Sequence, residues 1–130
     1  MGAFDALNIA SSGLGMHQTW LDALAYNIAN INTVVPTSQN AFQAQMVEAQ
    51  AVPGGGVRVG GIALSDPQGM IVNDPDSPLA DANGNVRAPA VDLSSQMSQL
   101  IMAQRGFQAS AQVTKYAQDT YSTAIGIGGK

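Results

Sequence analysis

The sequence contains no cysteine, a single histidine and few basic residues. Without cysteine, disulfide bonds and thiolate metal sites are excluded. The one histidine, His17, leaves little material for a zinc site or a Ser-His-Asp triad, so we expect no catalytic residue, metal, cofactor or small-molecule substrate. Only five residues are basic, and none precedes Arg58. We therefore expect no nucleic-acid partner, because such proteins need a clustered basic surface.

Long apolar runs are also missing. No run approaches the ~20 residues that a membrane-spanning helix requires, so we expect no membrane insertion. The first ten residues, MGAFDALNIA, have no basic segment and no long apolar core, and Asp5 interrupts them. The sequence therefore predicts no cleaved signal peptide.

Charge is scarce throughout the chain. Charged residues make up 11% of the sequence, against about 25% in an ordinary soluble domain, whereas the hydrophobic share of 45% is ordinary. The surface of a free monomer is usually charged. A surface of small and amide side chains favours packing against other chains. The alternative is an ordinary soluble domain that has few charged residues.

A seven-residue repeat near the N-terminus predicts a long helix. Its apolar row is Leu7, Leu14, Leu21 and Ile28. A second row follows three residues after each, at Ala10, His17, Leu24 and Ile31. This pattern is typical of a coiled coil and predicts a helix from about residue 3 to 31, ~43 Å long. Two glycines, Gly13 and Gly15, weaken the helix and indicate close approach of another backbone.

The C-terminal part predicts a second long helix, from about residue 91 to 125, with Asp92 as its N-cap. One row recurs every seven residues: Leu93, Leu100, Phe107, Thr114 and Tyr121. A row beside it contains Met97, Gln104, Ala111, Gln118 and Ile125, and a further face contains Met102, Ala109, Val113 and Tyr116. Apolar residues on several sides predict several partners. We expect the glycines of the final GIGGK to end the helix.

The middle of the chain has a different pattern. Residues 57–65 and 70–72 predict strands, residues 42–52 fit either a strand or a short helix, and Asn83-Gly84 predicts a turn. We therefore expect a mainly α fold, with long N- and C-terminal helices paired as a coiled coil and a small β-rich insert between them. The predicted domains are a discontinuous helical core of residues 1–33 and 90–130 and an insert of residues 34–89.

Two motifs combine fixed polar positions with the apolar rows. The first is an Ala-Ser-Gly-Leu to Asn-Ile-Ala-Asn-x-Asn-Thr pattern, at Ser12, Gly13, Leu14, Leu21, Asp22, Asn27, Ile28, Ala29, Asn30, Asn32 and Thr33. The second is an Asp-Pro-x-x-Pro-x-Ala-Asp-x-x-Gly-x-Val loop with an Arg-x-aromatic-x-Ala core in the following helix, at Asp74, Pro75, Pro78, Ala80, Asp81, Gly84, Val86, Arg105, Phe107 and Ala109. The first resembles the signature of the flagellar axial family of rod and hook proteins, and the second resembles a proximal-rod member of that family. The asparagines stand where the first helix of this family ends, and some of them are expected to bond to neighbouring subunits.

The resemblance implies a structural subunit and not an enzyme. It implies a helical tubular drive shaft that transmits torque, surrounds an export channel and spans the periplasm, with subunits exported without a cleaved signal peptide. The implied partners are copies of this chain, other rod proteins, and the export apparatus or MS-ring adaptor. The expected assembly interface contains Leu7, Leu14, Leu21, Asn27, Ile28, Asn30, Leu93, Leu100, Phe107 and Tyr121. The alternatives are a soluble helical-hairpin adaptor or secretion chaperone, or a different short rod protein of the same family.

Overall fold

The computed structural model describes residues 2–129, apart from the side chain of Ala3; Met1 and Lys130, the outer limits of the predicted helical domain, lie outside the described residues. Two long helices flank a region of short strands. In chain order the elements are α1 (Ala3–Asn30), β1 (Val35–Pro36), β2 (Gln45–Ala51), β3 (Val57–Leu64), β4 (Met70–Asn73), β5 (Asn85–Ala88) and α2 (Leu93–Gly128).

The fold is α+β, and the predicted mainly α class is wrong. About 20% of the chain is strand, arranged in two antiparallel sheets between the helices. The difference arises partly in residues 42–52, which the sequence pattern leaves ambiguous. Residues 45–51 of this segment form β2, because each of them pairs with a residue of β3. Backbone pairing with a distant partner thus decides a segment that local propensity does not.

The two helices pack antiparallel along their length. The start of α1 lies beside the C-terminal part of α2, where the Phe4 ring is 6.3 Å from that of Tyr121. The end of α1 lies beside the start of α2, where Asn27 bonds to Gln96. The predicted row of α2 is only part of its buried surface: Leu100, Phe107 and Thr114 are half-buried, but the most deeply buried residues belong to another neighbouring row. Ala103 is fully buried and Ala117 nearly so, while Met97 of the predicted neighbouring row is 45% exposed. Small residues occupy the contact because they let the backbones approach closely.

Two glycines mark the closest points of this contact. A Cβ atom on Gly13 would lie 3.0 Å from the hydroxyl oxygen of Ser110, and one on Gly106 would lie only 2.3 Å from Nε2 of His17. The other ring nitrogen of His17, Nδ1, lies 2.8 Å from the carbonyl oxygen of Gly13 and donates to it. His17 therefore fills the space that the absent Gly106 side chain leaves.

The sequence predicts where α2 begins better than where it ends. Asp92 caps α2, since its carboxylate accepts a hydrogen bond from the backbone N–H of Ser95 at 2.8 Å. The predicted end of α2 at about residue 125 is three residues short: the helix continues through Gly126 and ends at Gly128, still within the final GIGGK. Neither Gly126 nor Gly128 has a positive φ, so both keep helical backbone geometry.

The β2–β3 hairpin lies on α1. Its strands pair from Gln45 opposite Leu64 to Ala51 opposite Val57, with a bulge after Glu48. At the turn, Gly54, Gly55 and Gly56 all have positive φ, a conformation that glycine adopts without steric cost. The backbone N–H of Val57 donates to the hydroxyl of Ser12 at 3.1 Å. This bond fixes the turn of the hairpin to the first half of α1.

The second sheet has the strand order β1-β5-β4, with Val86 of β5 almost fully buried at its centre. The loop before β5 is organised by Asp81. Its carboxylate accepts from the backbone N–H groups of Asn85 (3.0 Å) and Asn83 (2.8 Å) and from the hydroxyl of Thr37 (3.0 Å). The bonds from Asn85 and Asn83, and to a lesser degree that from Thr37, hold the pKa of Asp81 below its ordinary value of 3.8.

The contact between His17 and Gly106 can be tested with a double-mutant cycle. Gly106→Ala should lower the free energy of unfolding by about 1–3 kcal/mol, because the new methyl group displaces the imidazole ring. In a His17→Ala background the same change should instead stabilise the protein by up to ~1 kcal/mol, since the ring is gone and alanine favours a helix. Urea unfolding of the four proteins measures both effects. The same sign in both backgrounds would contradict the packing described here.

The Asp81 bonds predict a stability that depends on pH. Because the pKa of Asp81 is lower in the folded protein, ionised Asp81 stabilises the fold above about pH 4, and this contribution is lost as the pH falls through the folded pKa below 3.8. The stability difference between wild type and Asp81→Asn should therefore shrink between pH 5 and pH 2 in urea titrations. Asp76→Asn removes the same charge from the exposed part of the loop and controls for net charge. A difference that stays constant with pH would refute this role.

Candidate assembly interface

Asn27 joins three elements of the fold through one buried amide. Its side chain is fully buried near the end of α1. Its Nδ2 donates to the backbone carbonyl of Gln45 at 2.8 Å and to Oε1 of Gln96 at 2.9 Å, while its Oδ1 accepts from the backbone N–H of Gln45 at 2.8 Å. The amide thus pairs with β2 as a neighbouring strand would, and also holds the first turn of α2.

The three asparagines at the end of α1 have different environments. Asn27 uses both its amide hydrogens inside the chain, so neither remains to donate to a neighbouring subunit. Asn30 donates Nδ2 to the carbonyl of Tyr26 one turn earlier, at 2.9 Å. Asn32 is exposed beyond the helix end. Bonding of Asn30 to another subunit stays a prediction, whereas the burial of Asn27 explains its place in the motif without one.

The other predicted interface residues are divided between the helix contact and the surface. Those that are half-buried are Leu7, Leu14, Leu21, Ile28, Leu100 and Phe107. Leu93 and Tyr121, near opposite ends of α2, are 49% and 43% exposed. The first set is thus partly covered within the chain, whereas Leu93 and Tyr121 keep nearly half of their surface exposed, although the Tyr121 ring lies beside that of Phe4.

A larger apolar surface lies on α2, outside the predicted interface residues. Several large side chains of this helix are about half exposed or more: Met97, Ile101, Met102, Val113, Tyr116, Ile125 and Ile127. The sequence signal for part of this surface was the row of Met102, Ala109, Val113 and Tyr116, which continues on one helix face. Contiguous exposed apolar side chains mark interaction sites in soluble proteins.

The strands add to this surface. On β3, Ile62 and Leu64 are 47% and 55% exposed, and on β4 Met70 and Ile71 are 51% and 54% exposed. Within residues 2–129, the helices contain no stretch that is long and apolar enough to cross a membrane. Across the same residues, no three histidine or acidic side chains are grouped so as to hold a metal ion.

The Asn27 amide should be the most sensitive polar group of the fold. Asn27→Ala leaves both backbone groups of Gln45 and the Gln96 side chain without their partner, and should lower the free energy of unfolding by roughly 2–5 kcal/mol. Asn30→Ala, on the more exposed side of the same helix end, is the matched control and should cost less than about 1 kcal/mol. Urea unfolding compares the two. Equal effects would show that the buried bonds contribute no more than the surface one.

The comparisons with known proteins cover nearly all of the chain. Residues 82–127 match the model of the C-terminal region of flagellar basal body rod FlgEFG proteins. The flagellar basal-body rod proteins FlgC of Yersinia enterocolitica and Salmonella typhimurium (strain LT2) are 33% and 31% identical to this chain, over 98% of it and 99% of each relative. FlgC of Bacillus subtilis (strain 168) is 27% identical, again over 98% of the chain. These matches span both helices and both sheets and confirm the resemblance to the axial family; the chain belongs to the FlgC family of flagellar basal-body rod proteins.

Proposed function

We propose that this chain is a structural subunit of the bacterial flagellar basal-body rod. The observation that carries the proposal is its similarity, over 98% of its length, to rod proteins named FlgC. A soluble helical-hairpin adaptor or a secretion chaperone is disfavoured, because the similarity includes the strands and loops as well as the two helices. A different short rod protein is disfavoured because the relatives reported above, each matched over 98% of this chain, are named FlgC.

The surface of the chain supports a role in a many-sided assembly. Large apolar side chains are exposed on α2, on β3 and on β4, that is, on both the helical and the β-rich parts. Only 11% of the residues are charged. A monomer with this surface gains free energy by burying it, at about 25 cal/mol per Å² of apolar area. A subunit with neighbours on several sides buries each of these surfaces.

The helix pair supports a mechanical function. The contact between α1 and α2 is made by small residues and fixed at one end by the buried amide of Asn27. α1, along which the two helices pack, is 28 residues long, which corresponds to ~42 Å. Helices in close contact over such a length resist bending and shear together. We propose that such pairs, stacked as a helical tube around an export channel, form a drive shaft that transmits torque in the proximal rod.

The partners and the location follow from the same proposal. The subunit contacts copies of itself and other rod proteins, and near the base of the rod it contacts the export apparatus or the MS-ring adaptor. It lies in the periplasm-spanning part of the basal body and arrives there by export without a cleaved signal peptide. A chain without cysteine suits this route, since no disulfide obstructs its passage in an unfolded state.

The predicted interface residues take two roles in this proposal. Leu93 and Tyr121 contact neighbouring subunits directly, because their side chains are exposed. The half-buried leucines of α1 support the helix that presents those contacts. The predicted division into a helical domain and an insert of residues 34–89 stays part of the proposal.

A deletion strain tests the rod function. Because a shaft grows in series, loss of one rod subunit should block every distal part, so the cells should lack both hook and filament. Electron microscopy of the cell surface and of isolated basal bodies measures this, and restoring the wild-type gene on a plasmid should return both structures. Normal filaments on the deletion strain would rule out the proposed role.

A further inference from the structure

The pair Asn83-Gly84 lies in the loop between β4 and β5, and the side chain of Asn83 is exposed. Every other asparagine of the chain precedes a residue larger than glycine. In an unfolded chain, asparagine before glycine is the form most prone to lose its side-chain ammonia. Glycine has no Cβ, so nothing shields the backbone nitrogen that attacks the carboxamide. Asn83 is therefore the most reactive asparagine of this sequence.

The reaction at this pair consumes only water. The backbone nitrogen of Gly84 loses its proton to a base in the solvent and bonds to Cγ of Asn83. The bond from Cγ to Nδ2 breaks, and Nδ2 keeps the bonding electrons, takes a proton from solvent and leaves as ammonia. One water molecule then opens the succinimide ring at either carbonyl carbon, to give aspartate or isoaspartate. In sum, a carboxamide and one water become a carboxyl group and ammonia.

In the folded chain, residues 81–84 form a tight turn. The backbone N–H of Gly84 donates to the carbonyl oxygen of Asp81 at 2.9 Å. Neither Ala82 nor Asn83 has a positive φ, which identifies a type I turn, with a ψ of about 0° at Asn83. Aspartate at the first position and glycine at the fourth are typical of this turn.

The type I turn holds the two reacting atoms apart. Closure of the succinimide ring requires the Gly84 nitrogen to eclipse Cβ of Asn83 about the Cα–C bond. A ψ of about 0° instead eclipses that nitrogen with the backbone nitrogen of Asn83, a third of a rotation away from Cβ. The ring therefore cannot close until the turn opens.

Further hydrogen bonds hold the peptide on both sides of this pair. Oδ1 of Asp81 accepts from the backbone N–H groups of Asn83 and Asn85 at 2.8 and 3.0 Å. The backbone N–H of Asp81 donates to the carbonyl oxygen of Asn85 at 2.9 Å, and the carbonyl oxygen of Gly84 accepts from the N–H of Asp74 at 2.8 Å. Opening the turn thus requires several bonds of the loop to break together.

The fold also requires the glycine that makes Asn83 reactive. Gly84 has a φ of +77°, and a Cβ atom there would lie 3.2 Å from Cβ of Pro75. A side chain at this position is disfavoured by both the backbone conformation and the contact. The reactive pair is consequently kept in the sequence, and its protection depends on the turn.

We propose that Asn83 is a site of spontaneous deamidation that reacts in the unfolded chain and is protected in the folded chain by the turn that Asp81 organises. The folded protein then reacts only through molecules whose loop has opened locally. Isoaspartate at position 83 lengthens the main chain by one methylene group and displaces the Gly84 N–H from the Asp81 carbonyl, so a chain modified while unfolded does not re-form the turn. The inference concerns the chain itself and does not depend on the proposed rod function.

Mass spectrometry of the purified full-length chain tests the protection. The chain is incubated at mildly alkaline pH, once in buffer and once in enough urea to unfold it, and circular dichroism checks each state. Trypsin places Asn83 in a peptide of residues 59–87, whose fragments locate the replacement of –NH2 by –OH. Asn73 and Asn85 lie in the same peptide and are internal controls, because a larger residue follows each. We expect Asn83 to react at least ~10-fold more slowly in buffer than in urea, which corresponds to an opening free energy of about 1.4 kcal/mol or more.

Variants separate the turn from the general effect of folding. Asp81→Ala removes the carboxylate that accepts two backbone bonds and should raise the rate in buffer towards the rate in urea. Asp76→Ala removes the same charge from an exposed position of the loop and should keep the wild-type rate. If Asp81→Ala does not fold, Thr37→Ala replaces it, since this change removes only the hydroxyl that donates to Asp81. Gly84→Ala, compared with wild type in urea, should slow the reaction and so identifies the succinimide route.

Equal rates at Asn83 in urea and in a folded buffer sample would overturn the proposal. The role of Asp81 would be refuted if Asp81→Ala, or Thr37→Ala in its place, reacted no faster than Asp76→Ala. A rate at Asn83 in urea no higher than at Asn73 and Asn85 would show that the reactive site is misassigned. None of these outcomes bears on the rod function, which the deletion strain tests separately.

Discussion

The buried amide of Asn27 is the contact on which the arrangement of the chain depends. One side chain, without exposure to solvent, satisfies two backbone groups of β2 and one side chain of α2. A buried polar group costs free energy when it lacks partners, so all three elements are held at one relative position or the contact fails. The end of α1, the start of α2 and the hairpin are thereby coupled. This coupling fixes the β2–β3 hairpin to the helix pair.

The small residues in the contact between α1 and α2 determine which apolar side chains of α2 remain exposed. Ala10, Ala103 and Ala117 are buried, and Gly13 and Gly106 bring the two helices into close contact. Because small residues hold the helices close together, Leu100 and Phe107 are only half-buried and the other large apolar side chains of α2 project outward. In a free monomer this exposure is unfavourable, and in the proposed rod assembly neighbouring subunits bury the same side chains. The close contact between the helices and the apolar surface of α2 both follow from the small residues placed between the helices.

The sequence predicted the elements better than it predicted their contacts. The limits of α1, the N-cap at Asp92 and the strand β3 follow from local pattern. The buried alanines of α2, Ala103 and Ala117, were missed because alanine carries little hydrophobic signal. The role of Asn27 could not be read locally either, since its partners lie 18 and 69 residues away. The glycines near residue 126 predicted a helix end from propensity alone, and α2 nevertheless continues to Gly128.

A density map of isolated basal bodies tests the central claim most directly. The account predicts that the rod wall contains the antiparallel helix pair with the hairpin folded onto α1. It also predicts that the Asn27 amide contacts Gln45 and Gln96 and that neighbouring subunits cover the outward apolar side chains of α2. A map whose rod wall has no place for this chain, or in which those side chains face water throughout, would contradict the account.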